Sequence, residues 1–568
     1  MQNFRLMLTC ATALLLLTLS LRAAPGPDSG APSIPTPTPA QYAWHEQERI
    51  MFVCLDPCTW QGREYDNHST PLSEMTLPKL STDQWCETAR SWGAREILFV
   101  AKHTGGFCWW RTDTTDYCVK NIAWKDGEGD LLLDLARSCQ EYGLNLGIYI
   151  YPGDESWGAG IGSGGKTRDP KKQEAYNEVF RRQWQEALER ASRYTHVSEV
   201  WFDGSCVIEV GDIIKRHAPH AVVFQGPYAS IRWVGNERGR LDGKRAWSTL
   251  TNRDLKTGVA TAHHSNAGGD AWAPLEVNTT LYDHHWFWAA ANEAKRKSLD
   301  ELMYVYYQSA GQGAVMLLNS TPNTDGLIPD DDVRLYRGLG AEIARRFGRP
   351  IARARGGGST IELDLGKPAM INHAVIMEDY WFGERIRAFA VEGWADGAWK
   401  SLAEGRHVGR KRIVWFDDAI VSKLRLRVTE SAARPLIREF AAFNVTDFRP
   451  APKEPLRSPW RQCGAWSSAD AKDGRATLTV NLTPFIDEAG QWQIQFRTVA
   501  GGQRVTVEDE VLFQASQASA PGAIQRAENI DNTFDINRMA VVTEEADIRL
   551  RVTLVGRGSE GVILVRRR

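Results

Sequence analysis

Val197-Ser-Glu-Val-Trp-Phe-Asp-Gly-Ser205 is an apolar run that stops on a single carboxylate, Asp203, and turns at Gly204. In a (β/α)8 barrel the catalytic groups stand where parallel strands end, and a glycine there lets the backbone turn and a substrate come close. Aspartate after a strand also serves simply as a cap for the following turn or helix. The stretch by itself leaves both readings open, and the surrounding chain decides between them.

Working outward, strand and helix signals alternate. Upstream, Glu48 to Leu55, Arg95 to His103 and Leu144 to Pro152 read as strands. Between and after them, Ser81 to Gly93, Asp130 to Gly143 and Asp169 to Tyr194 read as helices. Ser81 and Gln84 have capping-box spacing, Gly93 is a C-terminal stop, and Tyr176, Phe180 and Trp184 form an apolar helical stripe. Downstream follow a short helix at Gly211 to His217 and a strand at Ala221 to Gly226. A helix at Asp300 to Gln308, a strand at Ala314 to Asn319 and a closing helix at Asp331 to Phe347 complete the series. Such alternation implies parallel strands with helical crossovers, and roughly 300 residues of it fit a barrel better than an open sheet. The expected fold is α/β: a (β/α)8-type barrel over residues 41–348, followed by two all-β sandwich domains. The first sandwich, 349–448, is read from short period-two runs such as Thr360 to Leu365 and Lys423 to Val428; the second, 449–568, follows a proline-bearing stretch.

The chain begins with Arg5, an apolar run through Leu19 and small residues at Ala23-Ala24, so residues 1–24 are expected to be a secretory signal peptide. That places the protein in the periplasm or outside the cell, with no transmembrane segment expected. Residues 25–40, rich in Pro, Ser and Thr, are expected to be an extended linker. The net charge of -2 and the lack of a basic stripe argue against a nucleic-acid partner. Eight cysteines remain beyond Cys10, with Cys54/Cys58 and Cys108/Cys118 as candidate pairs. Their spacing suggests no zinc site, and mostly buried thiols with one bridge at most are expected. The 22 tryptophans point toward carbohydrate, because an indole stacks on a sugar ring and offers an N–H donor, although tryptophan is also core material.

Several ordered blocks between residues 42 and 347 resemble glycoside hydrolase family 29, the α-L-fucosidases. They are Trp44 to Glu48, Ala101-Lys-His-Thr-Gly-Gly-Phe-Cys-Trp109, Trp124 to Asp130, Gly147 to Pro152, Val200-Trp-Phe-Asp-Gly204 and Leu317 to Gly326. Arg232-Trp-Val-Gly-Asn-Glu237 resembles a motif of the subfamily that prefers branched α-1,3/1,4-fucosides, and residues 351–445 resemble a discoidin-like carbohydrate-binding module.

The resemblance implies a retaining exo-glycosidase with no cofactor and no metal. Asp203 would be the nucleophile and Glu237 the acid/base, a pairing that needs two carboxyls about 5 Å apart. A turn-like loop acid paired with Arg238 is the plainer reading of Glu237. Glu276, in Trp272 to Asn278, is the alternative acid/base or a sugar-orienting group. Substrate contacts implied are His45, His103, Trp109, Tyr151, Trp201, Glu276 and Trp286, with the tryptophans equally suited to a barrel core. The partners implied are fucosylated oligosaccharides or glycoproteins. Two departures stand out: Cys54 and Thr104 occupy positions where the family carries histidines. They motivate two alternatives, an α-L-glycosidase for a related sugar such as L-galactose and a catalytically inactive glycan-binding protein.

Overall fold

The computed structural model describes residues 34–241, 245–447, 460–467, 470–486, 490–500, 506–514, 524–526, 536–542, 548–555 and 560–567. The expected signal peptide and residues 25–33 of the linker lie outside them. The linker boundary needs correction at its other end. Pro39–Glu46 is a helix (α1), started by Pro39 at its first turn and by the Thr38 side chain, which accepts from Gln41 N in a capping box.

Eight parallel strands make the barrel: β1 Arg49–Val53, β2 Glu96–Lys102, β3 Asn145–Ile150, β4 Val197–Trp201, β5 Val222–Phe224, β6 Arg232–Trp233, β7 Leu275–Thr279 and β8 Val315–Ser320. The hydrogen-bonded order runs from β5 back to β1 and then through β8, β7 and β6. A parallel bridge between Phe224 and Ile231 joins β5 to the start of β6 and closes the ring. Strands buried on both faces suit their Val, Ile and Leu content. One set of side chains, including Phe52, Leu98, Tyr149, Trp201 and Leu317, fills the barrel interior. The alternate set, including Met51, Ile97, Ile148 and Val200, packs outward with helical residues such as Trp85, Leu135 and Trp184.

Helices α2 Thr82–Ser91, α3 Leu131–Tyr142, α4 Gln173–Ser192, α5 Gly211–His217, α6 Leu299–Gln308 and α7 Asp330–Phe347 cover that outer face. Their starts follow the caps legible in sequence: Ser81 Oγ accepts from Gln84 N, and Asp130 accepts from Leu133 N. The eight described cysteines are free thiols, seven of them buried, so neither candidate pair is bridged.

The next domain is a six-stranded antiparallel sheet. Two of its strands, Thr360–Glu378 and Arg412–Ser431, are long and broken by register shifts, which let the sheet curl around its own core of Ile371, Ile376, Phe389, Leu424 and Phe440. It forms one compact unit with the barrel, and the junction is charged. Glu48, just before β1, pairs with Arg410 at 2.8 Å and with Lys411, and accepts from Tyr306 Oη at 2.8 Å. Glu46 pairs with Arg438 at 2.8 Å, and buried Glu384 accepts from Ser248 N and from His407. Residues 450–568 form a second unit, with five- and three-stranded antiparallel sheets sharing a core of Trp466, Trp492, Phe496 and Leu550.

Burial alone would raise the Glu48 carboxyl, but Lys411 and Arg410 overcome it and hold the group well below the usual range. Removing one partner of a buried ion pair strands the others. Glu48→Ala is expected to cost about 3–5 kcal/mol of unfolding free energy. Denaturant titration checks this, and a loss under ~1 kcal/mol would show that the junction does not depend on the pair.

Candidate active site

Because side chains alternate along a strand, Glu199, Trp201 and Asp203 share the inward face of β4. Trp201 and Asp203 open into a pocket of about 260 Å³ at the ends of the strands. Gly204 follows at φ 94°, a left-handed conformation that favours glycine, and its N–H donates to the Gln225 side chain. The Tyr149 hydroxyl, from β3, donates to Asp203 Oδ2 at 3.1 Å.

Asp203 is reached by water through the open pocket, while protein crowds its other sides. That crowding withholds bulk water from the carboxylate and pushes its pKa up to about 6; the Tyr149 hydrogen bond opposes the shift and the Glu237 charge adds to it.

Glu237 lines the same pocket from the loop after β6 and is exposed. The loop turns at Gly235 and Gly239, both at positive φ, and Asn236 ties it internally by accepting from Arg238 N and donating to Arg240 O. At its base Arg232 is fully buried among neutral acceptors. It donates to Ala273 O at 2.9 Å, Thr261 O at 3.1 Å, Ser265 Oγ at 3.2 Å and Trp247 O at 2.5 Å. Loss of solvent lowers its pKa to about 9. One guanidinium thus fastens three connecting segments under the loop that carries Glu237. Trp233, next along, donates its indole N–H to Asn278 Oδ1 at 2.6 Å.

His103 and Trp286 also line the pocket. Burial lowers the His103 pKa to about 3, so its ring is neutral and exchanges hydrogen bonds rather than charge. Trp286 meets Phe52 edge-on at 5.7 Å, and its backbone N–H donates to Glu64 at 2.9 Å. Glu64 in turn contacts His285, which contacts Lys295. Glu64, Tyr65, Tyr149, Gln225, Trp233 and Asn278 are lining residues that the sequence reading did not single out. Tyr149 carried a signal, since it shares the inward face of β3 with Tyr151, and Trp233 stood within the Arg232 to Glu237 motif. Among the described residues no cluster of three or more His, Cys, Asp or Glu is arranged to hold a metal ion.

Four expected residues stand elsewhere, and their readings are corrected here. Trp109 is fully buried, gives its indole N–H to Leu55 O at 2.7 Å and packs against Phe107. His45 is fully buried on α1, which precedes β1, and contacts Gly313 O just before β8. That is the N-terminal end of the barrel, opposite the pocket. Tyr151 lies behind His103, its hydroxyl engaged by Gly162 N at 2.8 Å. Glu276, the rival acid/base, is fully buried in the barrel interior and does not line the pocket. A group sealed from solvent and substrate cannot protonate a departing sugar oxygen.

A barrel whose strand ends bring an aspartate and a glutamate into one aromatic-walled pocket is that of a glycoside hydrolase. The comparisons agree. The family model for α-L-fucosidase matches residues 61–345. "Alpha-L-fucosidase 1" of Arabidopsis thaliana is 28% identical over 72% of this chain and 87% of its own length. A crystal structure of a presumed α-L-fucosidase from Bacteroides thetaiotaomicron is 31% identical, covering 73% of this chain and all of that one, with a TM-score of 0.67. A glycoside hydrolase 29 family member from an unknown rumen bacterium, 24% identical, shares the fold over 94% of this chain with a TM-score of 0.66. The chain belongs to the α-L-fucosidase family.

Tyr149→Phe removes the donor that favours ionised Asp203, so the carboxyl should hold its proton to higher pH. The acidic limb of kcat/KM is expected to move up by roughly one pH unit, the solvent-open carboxylate limiting the effect. A profile unmoved by the substitution would remove Tyr149 from the control of Asp203.

Proposed function

We propose that this chain is an exported exo-α-L-fucosidase that removes terminal fucosyl residues, α-1,3/1,4-linked on branched glycans, by a retaining mechanism. The observation that carries this reading is the opening of Asp203 and Glu237 into one small pocket walled by Trp201, Trp233 and Trp286. Asp203 attacks the anomeric carbon while the Glu237 carboxyl passes its proton to the glycosidic oxygen; that C–O bond breaks and the aglycone departs as an alcohol. The Glu237 carboxylate then takes a proton from water, whose oxygen displaces Asp203 and frees the sugar. The names of the plant relatives support fucose as the sugar. The Arg232 to Glu237 motif supports the branched linkage, and the residues before Pro25 support export.

For residues 349–448 we propose the discoidin-like carbohydrate-binding reading, resting on the sequence likeness. Its tryptophans are partly engaged: Trp394 faces Trp399 across a hairpin, Arg425 covers Trp399, and Trp381 meets Tyr42 edge-on. One observation favours the second sugar. Cys54, a small and weak donor where the family has histidine, lines the pocket, which leaves room for a substituent beyond that of fucose.

The test is release of free sugar from α-1,2, α-1,3, α-1,4 and α-1,6 fucosylated oligosaccharides and from an α-L-galactoside. Fucose from the branched substrates is expected, and release from the galactoside alone would replace the fucose assignment. Asp203→Ala should lose activity by at least about a thousandfold, and Glu237→Ala by about 10²–10⁴-fold. Azide should restore turnover of an activated aryl fucoside in both, giving the α-azide with Glu237→Ala and the β-azide with Asp203→Ala. Sugar binding without any release would leave the glycan-binding reading in its place.

A further inference from the structure

Beneath the pocket floor the barrel holds three carboxyl groups that the proposed mechanism does not use. Glu96 on β2, Glu199 on β4 and Glu276 on β7 are each fully buried. Room is made for them by Gly147 on β3, where a Cβ would come 2.5 Å from Glu96 Oε1 and 3.3 Å from Glu199 Cβ. Donors are few. Glu96 Oε2 accepts from Gln47 Nε2 at 2.6 Å and Ser198 Oγ at 2.5 Å, and Glu199 Oε2 accepts from Trp44 Nε1 at 2.8 Å. Glu96 Oε1, Glu199 Oε1 and both Glu276 oxygens find no donor, and the Trp201 indole N–H beside Glu276 falls short of a well-aligned hydrogen bond.

Three ionised carboxylates with these partners would be uncompensated buried charge, which a protein relieves by taking up protons. The ionisable groups facing Glu276 are Glu199 and Glu96, and those facing Glu199 are Glu276 and Glu96. A proton on one carboxyl supplies the donor that its neighbour's bare oxygen lacks, and Glu199 lies within hydrogen-bonding reach of both others. Burial is the main cause that raises Glu199 and Glu276 above the ordinary carboxyl range; the charges of Glu276 and Glu96 add to it at Glu199, while at Glu276 the hydrogen bond with Glu199 opposes it and the Glu96 charge adds to it.

The pair also lies at the foot of a path to the nucleophile. Trp201, two residues beyond Glu199 on the same face, lines the pocket and stacks on Phe224 at 3.9 Å and on Tyr149 at 5.2 Å. Tyr149 holds Asp203.

We propose that Glu199 and Glu276 form a proton-sharing pair of carboxylic acids that positions Trp201, and through it Tyr149, beneath Asp203. They are positioning residues, and their role rests on the reading of Asp203 as nucleophile.

Glu276→Gln keeps the shape and hydrogen bonds of the protonated acid but cannot ionise. Glu276→Leu keeps approximate bulk and loses both. Because the folded pKa is raised, the native state binds more protons than the unfolded chain above pH ~4.3, and wild-type stability falls as pH rises toward the folded value. Glu276→Gln should therefore melt about 3 °C or more above wild type at pH 8 and close to it at pH 5. Infrared spectra of the wild type at pH 7 should carry a protonated-carboxyl band that Glu276→Gln removes or weakens.

With an aryl α-L-fucoside, Glu276→Gln should keep kcat within a few-fold. Glu276→Leu should lose at least about tenfold in kcat and shift the acidic limb upward. Absence of the infrared band, or equal melting shifts at both pH values, overturns the shared proton. Equal kinetics for folded Gln and Leu variants overturns the positioning role, and a Gln variant as inactive as Glu237→Ala makes Glu276 catalytic instead. The spectroscopic and melting measurements need no turnover, so failure of this pair is distinguishable from failure of the fucose assignment.

Discussion

Hydrogen bonding between parallel neighbours fixes where each strand of a closed barrel stops, and in this chain the stopping points decide which side chains meet. Trp201 pairs in register with Tyr149 on one side and with Phe224 on the other. The three aromatic rings therefore stack at one level, and Asp203 emerges two residues above them. Had β4 slipped by one residue, Asp203 would point into the helical layer instead of the pocket. The pocket floor is thus a consequence of register, and the carboxylate above it inherits its position from the backbone.

The same register leaves polar groups in places where solvent cannot reach, and the chain treats each differently. Lys102 is neutralised by Asp154 at 3.0 Å and kept charged. Arg232 keeps its charge against three carbonyl oxygens and the Ser265 hydroxyl, which is tolerable because a guanidinium is weakly hydrated and its fork spreads over several acceptors. The carboxyls of the barrel floor have neither a cation nor enough donors, so protonation is what remains to them. Buried charge in this barrel is therefore organised by how many donors or acceptors the neighbouring strands and loops can bring.

The first two-thirds of the barrel were legible because their elements are long enough to show a period and carry explicit caps, as at Ser81, Asp130 and Gly143. Between β5 and α6 that signal fails. β6 has two residues, and the hairpin of Thr249–Leu250 with Ala271–Trp272 has two on each side, too short for any alternation. The helix at Pro39–Glu46 was hidden for a different reason: proline and threonine read as linker in bulk composition, yet Thr38, Pro39 and Gln41 form a helix start. Within the site, strand-end residues such as Asp203 were readable. His45 and Trp109 were not, because a motif match gives an identity without telling at which end of the barrel, or on which face of a strand, the residue lies.

The end of the barrel also bears on the all-β domain after it. Its contacts include Glu46, Glu48, the turn at Gly313 and the Trp247-Ser248 segment. Most of these precede strands, so they belong to the N-terminal face, where a barrel keeps its stabilising contacts, and Asp203 and Glu237 stand at the other. The buried charge at the junction fits that division. Glu48 is shared by Arg410 and Lys411 of one domain and Tyr306 of the other, so the domain braces the closed barrel on which the strand-end geometry depends.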